Sequence, residues 1–292
     1  MTWRRSFPWP FLLAGALMLS YLVGPVIALI GALPGADRSA FIGQGALDAL
    51  GVTLVAATAA TAVDAILGIP LGFWLSRGGS TARHVVTAAV LVPLALPPVV
   101  GGLVLLLWVG PGSWLGQALA PLGLAPLNTL AGTILAQMFV AAPFIVISAR
   151  AAFASLDPAL EDAARSLGCG LGQAFVRVLL PAARRGIATG LVLGWVRCLG
   201  EFGATAIVAY HPYTLPVLTF VRLTEDGLPT ALPAGALLAL VGTVAAGLML
   251  WLDAGRPRAV PHSATATPPL DPVIPLAWIA PDGATPLREP IV

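Results

Sequence analysis

The chain has 292 residues, of which 58% are apolar and only 10% charged, with a formal net charge of +2 and a mean hydropathy of +0.92. Soluble domains run at about 45–50% apolar and about 25% charged, so the composition excludes an ordinary soluble enzyme and defines an integral membrane protein. So small a net charge makes no case for nucleic acid, and all fifteen basic residues are arginine, so the lysine that a phosphate-cradling P-loop requires is missing.

A helix needs about 20 apolar residues to cross the hydrocarbon core, and six segments qualify: Pro10–Ile30, Leu47–Leu75, Val85–Val109, Leu130–Ala149, Gly186–Ala209 and Ala231–Leu252. The expected fold is therefore all-α with six transmembrane helices. Arg4-Arg5-Ser6-Phe7, just before the first span, faintly resembles a twin-arginine export signal. The apolar run that follows exceeds a signal's core of about 7–15 residues, which favours a retained anchor. Cytoplasmic connections hold an excess of arginine. With the N-terminus inside, eleven arginines fall on the inner side (4, 5, 77, 83, 150, 165, 177, 184, 185, 256 and 258) and two, Arg38 and Arg222, outside. Both termini are thus expected in the cytoplasm. Residues 1–45 read as an anchor helix and first external loop, 46–252 as the transmembrane domain, and 253–292, with nine prolines, as a flexible cytoplasmic tail.

In this topology Cys169 is cytoplasmic and Cys198 mid-membrane, so no disulfide is expected. His84 and His211 sit at span ends. No histidine, cysteine and carboxylate group has metal-ligand spacing, and no nucleophile, base and orienting acid share a segment. Neither a metal, a cofactor nor a catalytic residue is expected.

Between the fourth and fifth spans lies a polar stretch. Asp157-Pro158 is a helix start, an N-cap acceptor followed by a proline whose missing N–H costs nothing there. Leu160, Ala163, Ala164, Leu167, Leu171, Ala174, Phe175 and Val178 then recur at helical spacing, leaving Glu161, Asp162, Arg165, Gln173 and Arg177 for the other side. Gly168-Cys169-Gly170 predicts a corner between two short helices, and Pro181 the end of the second. Two readings fit: a helix lying in the headgroup region, or a docking surface for a cytoplasmic partner, which the small Ala163-Ala164 pair at the centre of the face favours.

In the fifth span Gly190, Gly194, Arg197, Glu201 and Thr205 fall, on a continuous helix, within about 80° of one another. Gly190 and Gly194 allow a close helix approach, while Arg197 and Glu201, one turn apart, can pair. This stripe lines a pathway or merely locks two helices together. A second stripe, Thr58, Thr61 and Asp64 in the second span, lines a pathway or consists of threonines bonded back to their own helix. Pro97-Pro98 and Pro143 are expected to break the third and fourth spans.

The polar stretch resembles the signature loop of bacterial ABC-importer permeases, E-A-A, three residues, G, nine residues, I-x-L-P. Here it reads Asp162-Ala163-Ala164, three residues, Gly168, nine residues, Val178-Leu179-Leu180-Pro181, with Asp162 and Val178 as the departures. Leu96-Pro97-Pro98-Val99-Val100, Asn128-Thr129, Ala136 to Pro143 and, above all, Leu199-Gly200-Glu201-Phe202-Gly203-Ala204-Thr205 are similar to the molybdate permease branch, with sulfate and tungstate permeases near it.

The resemblance implies coupling helices over 157–181, with Asp157, Glu161, Asp162, Ala163, Ala164, Gly168, Val178 and Pro181 serving two cytoplasmic ATPase subunits. It also implies a second permease copy, an extracytoplasmic oxyanion-binding protein, and residence among the lipids of a bacterial cytoplasmic membrane. Arg197, Glu201, Thr205 and Asp64 become candidates for a molybdate pathway, the cancellation of charge between Arg197 and Glu201 keeping the dianion weakly held. A rival of another class, an ion-coupled transporter, would use Asp64 or Glu201 as a proton carrier.

Overall fold

The computed structural model describes residues 9–37, 39 and 45–254. Among them every regular element is helical. Apart from its first two residues the expected tail lies outside this set, as do Arg4, Arg5, Arg38, Arg256 and Arg258.

Helix α1 (Trp9–Ala32) has no buried residue and leans on the last helix through Val26, Leu29, Ile30, Leu237 and Leu240. The next, α2 (Ala46–Leu75), turns Thr53, Ala56, Ala57, Ala60, Asp64, Gly68 and Gly72 inward at three- and four-residue intervals. Its large side chains, Val55, Ile66 and Leu67, are exposed. Small inside and large outside is the pattern of helices that pack in lipid, where close backbone approach replaces the hydrophobic drive of water.

The expected third span is two helices. α3 (Thr81–Ala95) and α4 (Pro98–Val109) meet at 117°. Each proline forces its predecessor out of the helical region: Leu96 takes ψ 133° and Pro97 ψ 139°, so both residues are extended and the helix turns away. A short helix, α5 (Trp114–Leu119), follows, its first turn capped by the Ser113 hydroxyl accepting the Gly116 amide at 2.8 Å.

The central element is α6 (Leu130–Ala154), capped by Thr129, whose hydroxyl accepts the Gly132 amide at 3.2 Å. Contrary to expectation, α6 runs unbroken through Pro143, which is buried inside it. A lone proline removes one amide donor; it lacks the second ring that forces two consecutive residues extended at 96–97. A Cβ on Gly72 of α2 would stand 2.7 Å from the Ala149 Cβ of α6, and one on Gly190 would stand 2.3 Å from the Ser148 Cβ. Glycines on both flanking helices thus hold α2 and the later α9 at backbone range from α6.

After α6 come α7 (Ala159–Ser166), the short α8 (Leu171–Ala174) and α9 (Leu180–Leu199). Pro181 does not end the second short helix. The chain passes from α8 through one wide π turn, Phe175–Leu179, straight into α9, with the Leu180 amide donating to the Phe175 carbonyl. Pro181 cannot donate to the carbonyl four residues back and its ring crowds it; the wider turn relieves that conflict without breaking the helix.

The expected fifth span, Gly186–Ala209, is also interrupted: α9 stops at Leu199, and α10 (Gly203–Val208) begins after a three-residue break. Next, α11 (Leu215–Glu225) is tied to α2 by the Leu215 amide, which donates to Thr53 Oγ1 at 2.8 Å. The last helix is α12 (Leu228–Ala254). Four helical segments, 9–35, 46–75, 130–154 and 228–249, are long and apolar enough to cross a membrane, and the bent α3–α4 pair makes a fifth.

Candidate functional site

The polar elbow between α6 and α9 forms as its sequence dictates. Asp157 Oδ1 accepts the Ala159 amide at 2.9 Å and opens α7. At the far end the Gly168 amide donates to the Arg165 carbonyl (2.9 Å) and the Cys169 amide to the Ala164 carbonyl (3.1 Å). That pair of bonds is a Schellman ending, which needs a residue in the left-handed region just past the helix. Gly168 has φ +86°. A Cβ there would meet nothing within 4 Å, so the need for glycine is one of backbone conformation and not of space.

The apolar stripe does not form the single face expected of it. Ala164, Ala174 and Leu179 are buried against the protein, and Phe175 stacks with Phe73 of α2 and Phe153 of α6, with ring centroids 4.9 and 5.7 Å away. The other half points out: Leu160 is 40% exposed, Leu167 86% and Leu171 55%. Ala163 and Asp162 are exposed, Val178 is half-buried, and Pro181 is exposed. The break at Gly168 and the π turn rotate the two halves out of a common register, so one periodicity serves both an anchor and a free surface.

Glu161 was expected on the polar face of the short helix, away from the apolar stripe, and lies instead against the α2–α3 turn, in an ion pair with Arg77. The Arg77 guanidinium also sits 4.3 Å above the Phe73 ring. The elbow is thereby fastened to α2, α6 and α9 at once. In the sequence Arg77 counts only toward sidedness; an arginine just after a span's last turn is the one signal that could have suggested its pairing.

At the far end of α9, Arg197 Nη2 and Glu201 Oε2 pair at 2.6 Å, with the Glu201 side chain 1% exposed and that of Arg197 27%. The other Glu201 oxygen, Oε1, accepts the Ala204 amide at 2.8 Å. Glu201, one residue ahead of the N-cap Phe202, therefore also satisfies a first-turn amide of α10 and supports the restart of the helix there. Since α9 and α10 are separate, Thr205 does not continue the α9 stripe; it is wholly buried, and its hydroxyl has no partner.

The second stripe divides. Thr58 accepts the Trp195 indole N–H at 3.2 Å, and Thr61 Oγ1 lies 4.0 Å from Cys198 Sγ. These contacts join α2 to α9 and are not back-bonds to α2 itself. Asp64 is 5% exposed, with Oδ2 unpartnered, and borders a pocket of about 240 Å³ whose other walls include Leu67, Val90, Pro93, Phe139 and Pro143. Gln137 of α6, wholly buried with both amide atoms unpartnered, was not singled out from the sequence. An amide in the middle of an apolar span was the available signal. Among the described residues no group of three or more histidines, cysteines or carboxylates could hold a metal ion.

Helices with small residues inward and large ones outward and a span broken at tandem prolines define a multi-pass membrane protein, with a polar elbow packed against its helices. Residues 68–256 match the binding-protein-dependent transport system inner membrane component family, and the chain belongs to that family. It is 43% identical over 251 residues to a probable molybdenum ABC transporter permease protein of Haloferax volcanii, covering 85% of this chain and 89% of that one. Against the sulfate transport system permease protein of a Synechocystis species it is 32% identical over 253 residues, covering 82% and 86%. The crystal structure of a bacterial alginate ABC transporter in complex with an alginate pentasaccharide-bound periplasmic protein shares the fold, with a TM-score of 0.66 over 84% of this chain and 92% of that chain at 21% identity. The chain is thus the membrane permease component of an ABC transporter and not its ATPase.

Proposed function

We propose that the chain imports molybdate, as two copies that receive the anion from an extracytoplasmic binding protein and dock two ATPase subunits through residues 157–181. The observation that carries the docking role is the outward set Leu160, Leu167 and Leu171 on a segment outside the apolar spans. Burying one such leucine releases about 1.5–3 kcal/mol, and a segment that keeps three of them in water needs a partner. The arginine distribution supports a cytoplasmic position for this segment.

The anchoring half gives the docked segment something to move. A displacement of α7 reaches α2 through the Arg77–Glu161 pair and the Phe73–Phe175 contact, and α6 through the Phe153 ring. From α8 it enters α9 directly, because the π turn leaves no flexible joint between those two helices. An alternating-access site needs two bundles that rock against each other, and a second copy supplies the other. α1, with no buried residue of its own, offers surface for that copy or for lipid. Molybdate is favoured over sulfate by the higher identity to the molybdenum relative, and tungstate shares molybdate's shape and charge.

The reading is tested by reconstituting the chain in liposomes with its ATPase and binding protein and following molybdate, tungstate and sulfate uptake. ATP-dependent uptake in which molybdate competes best is the expected result. Uptake without ATP that collapses with a protonophore would instead make the chain an ion-coupled carrier using Asp64 or Glu201.

A further inference from the structure

Beside the elbow, a second pocket of about 200 Å³ opens between the α2–α3 turn and α6, lined by Ser76, Gly78, Arg83, His84, Thr87 and Arg150 among others, with no carboxylate in its wall. It takes no part in the docking role above. Arg150 Nη1 donates to Thr87 Oγ1 at 3.3 Å. Arg83 Nη1 is held by the carbonyls of Arg77 and Gly78, each at 3.2 Å, while Arg83 Nε is buried without a partner. His84 Nδ1 donates to the Ser80 carbonyl at 3.0 Å, which fixes the ring and leaves Nε2 on its far side. The pocket also lies at the N-terminus of the 15-residue helix α3, where the helix dipole adds partial positive charge.

Two cations, a histidine and a helix start without a countercharge form a site for an oxyanion. Its depth argues for which one. The pocket lies where α2 ends and α3 begins, and the Arg83 guanidinium stands 5.2 Å over the ring of Trp74, which is 40% exposed. An exposed tryptophan at the end of a span marks the headgroup level, and basic pockets between helices at that level take anionic lipid headgroups. We infer that this pocket binds the phosphate of an anionic phospholipid, held by Arg83 and Arg150, on the same membrane face as the docking elbow. Ser76 and Ala154 border both this pocket and the one beneath α7, and Arg77, the residue after Ser76, holds Glu161, so a bound headgroup stiffens the turn to which Glu161 is fastened.

The test uses the full chain in nanodiscs of mixed phosphatidylglycerol and phosphatidylcholine, with retained lipid counted by native mass spectrometry. Wild type is expected to retain phosphatidylglycerol selectively. An arginine near an anionic surface contributes about a fivefold gain, so Arg83→Gln/Arg150→Gln should lower that selectivity by about thirtyfold, whereas Arg83→Lys/Arg150→Lys keeps most of it. Unchanged selectivity in the glutamine pair overturns the inference. Should that pair fail to fold, wild type labelled with a phosphatidylglycerol carrying a photoreactive headgroup decides: adducts on residues 76–87 and 150–154 support the site, and adducts only elsewhere overturn it. Inorganic phosphate or molybdate at millimolar concentration should not displace the lipid. Displacement by either would assign the pocket to a free oxyanion and overturn the lipid source.

Discussion

Replacing Arg197 alone should damage the protein more than replacing Arg197 and Glu201 together. Glu201 is 1% exposed and keeps two partners, Arg197 at 2.6 Å and the Ala204 amide at 2.8 Å. In Arg197→Gln the carboxylate retains the amide but loses its countercharge. Removing one half of a buried pair costs about 3–5 kcal/mol, and because Arg197 is 27% exposed and water replaces part of its role, the lower end, about 3 kcal/mol, is the expectation. Adding Glu201→Gln removes the stranded charge while the glutamine oxygen still accepts the Ala204 amide. The loss then falls to about one ordinary hydrogen bond, about 1 kcal/mol, so the second substitution recovers about 2 kcal/mol of what the first removed. Cys198 reports the effect. It is 1% exposed and adjacent to Arg197, so in a Cys169→Ser background the rate at which a thiol reagent modifies it follows opening of the core. The single variant should react fastest, the double variant at an intermediate rate, and the parent slowest. Equal rates in the single and double variants would refute the argument that pairing, and not the arginine itself, is what α9 and α10 require.

Other substitutions probe the elbow and the helix packing. Gly168→Val forces a β-branched residue to φ +86°, at a cost of about 1–2 kcal/mol. ATP hydrolysis should then continue while uptake falls, with Gly168→Asn milder because asparagine tolerates the left-handed region; normal uptake in the valine variant would remove the corner from the transmission path. Arg77→Gln should barely change stability, since partly exposed ion pairs contribute about 0–1 kcal/mol. Spin labels on α3 and α7 should nevertheless report a broader distance distribution, and Arg77→Glu with Glu161→Arg should narrow it again. Gly190→Ala places a methyl where only 2.3 Å separates its position from the Ser148 Cβ. Overpacking of that kind costs about 1–3 kcal/mol, and Ser148→Gly in the same chain should recover part of the lost yield of folded protein.

Much of this protein is legible one residue at a time. Composition and apolar runs locate four of the six expected spans, and a fifth as a bent pair, because the bilayer imposes length and polarity on each segment separately. The signature Asp162-Ala163-Ala164 with Gly168 is legible because a capped helix and its Schellman ending depend only on neighbours in the chain. The Arg197–Glu201 pair was readable too, being separated by one helical turn. What stayed hidden lies at places where distant segments compete for the same backbone groups. Pro143 and Pro97-Pro98 both read as breaks, yet the lone proline is carried within a packed helix and the tandem pair turns the chain by 117°. Pro181 reads as a stop, and a π turn makes it a continuation. Glu201 reads as mid-helix, but one of its oxygens takes the Ala204 amide and begins a new helix. Glu161 sits on a polar face by periodicity and is drawn inward by Arg77, a residue 84 positions away in the chain. Local pattern thus determined that the chain spans a membrane and carries a helical elbow outside its apolar spans. Tertiary packing decided which half of that elbow is anchored and which is free, because only a partner from another helix can say which side of an amphipathic segment is already satisfied.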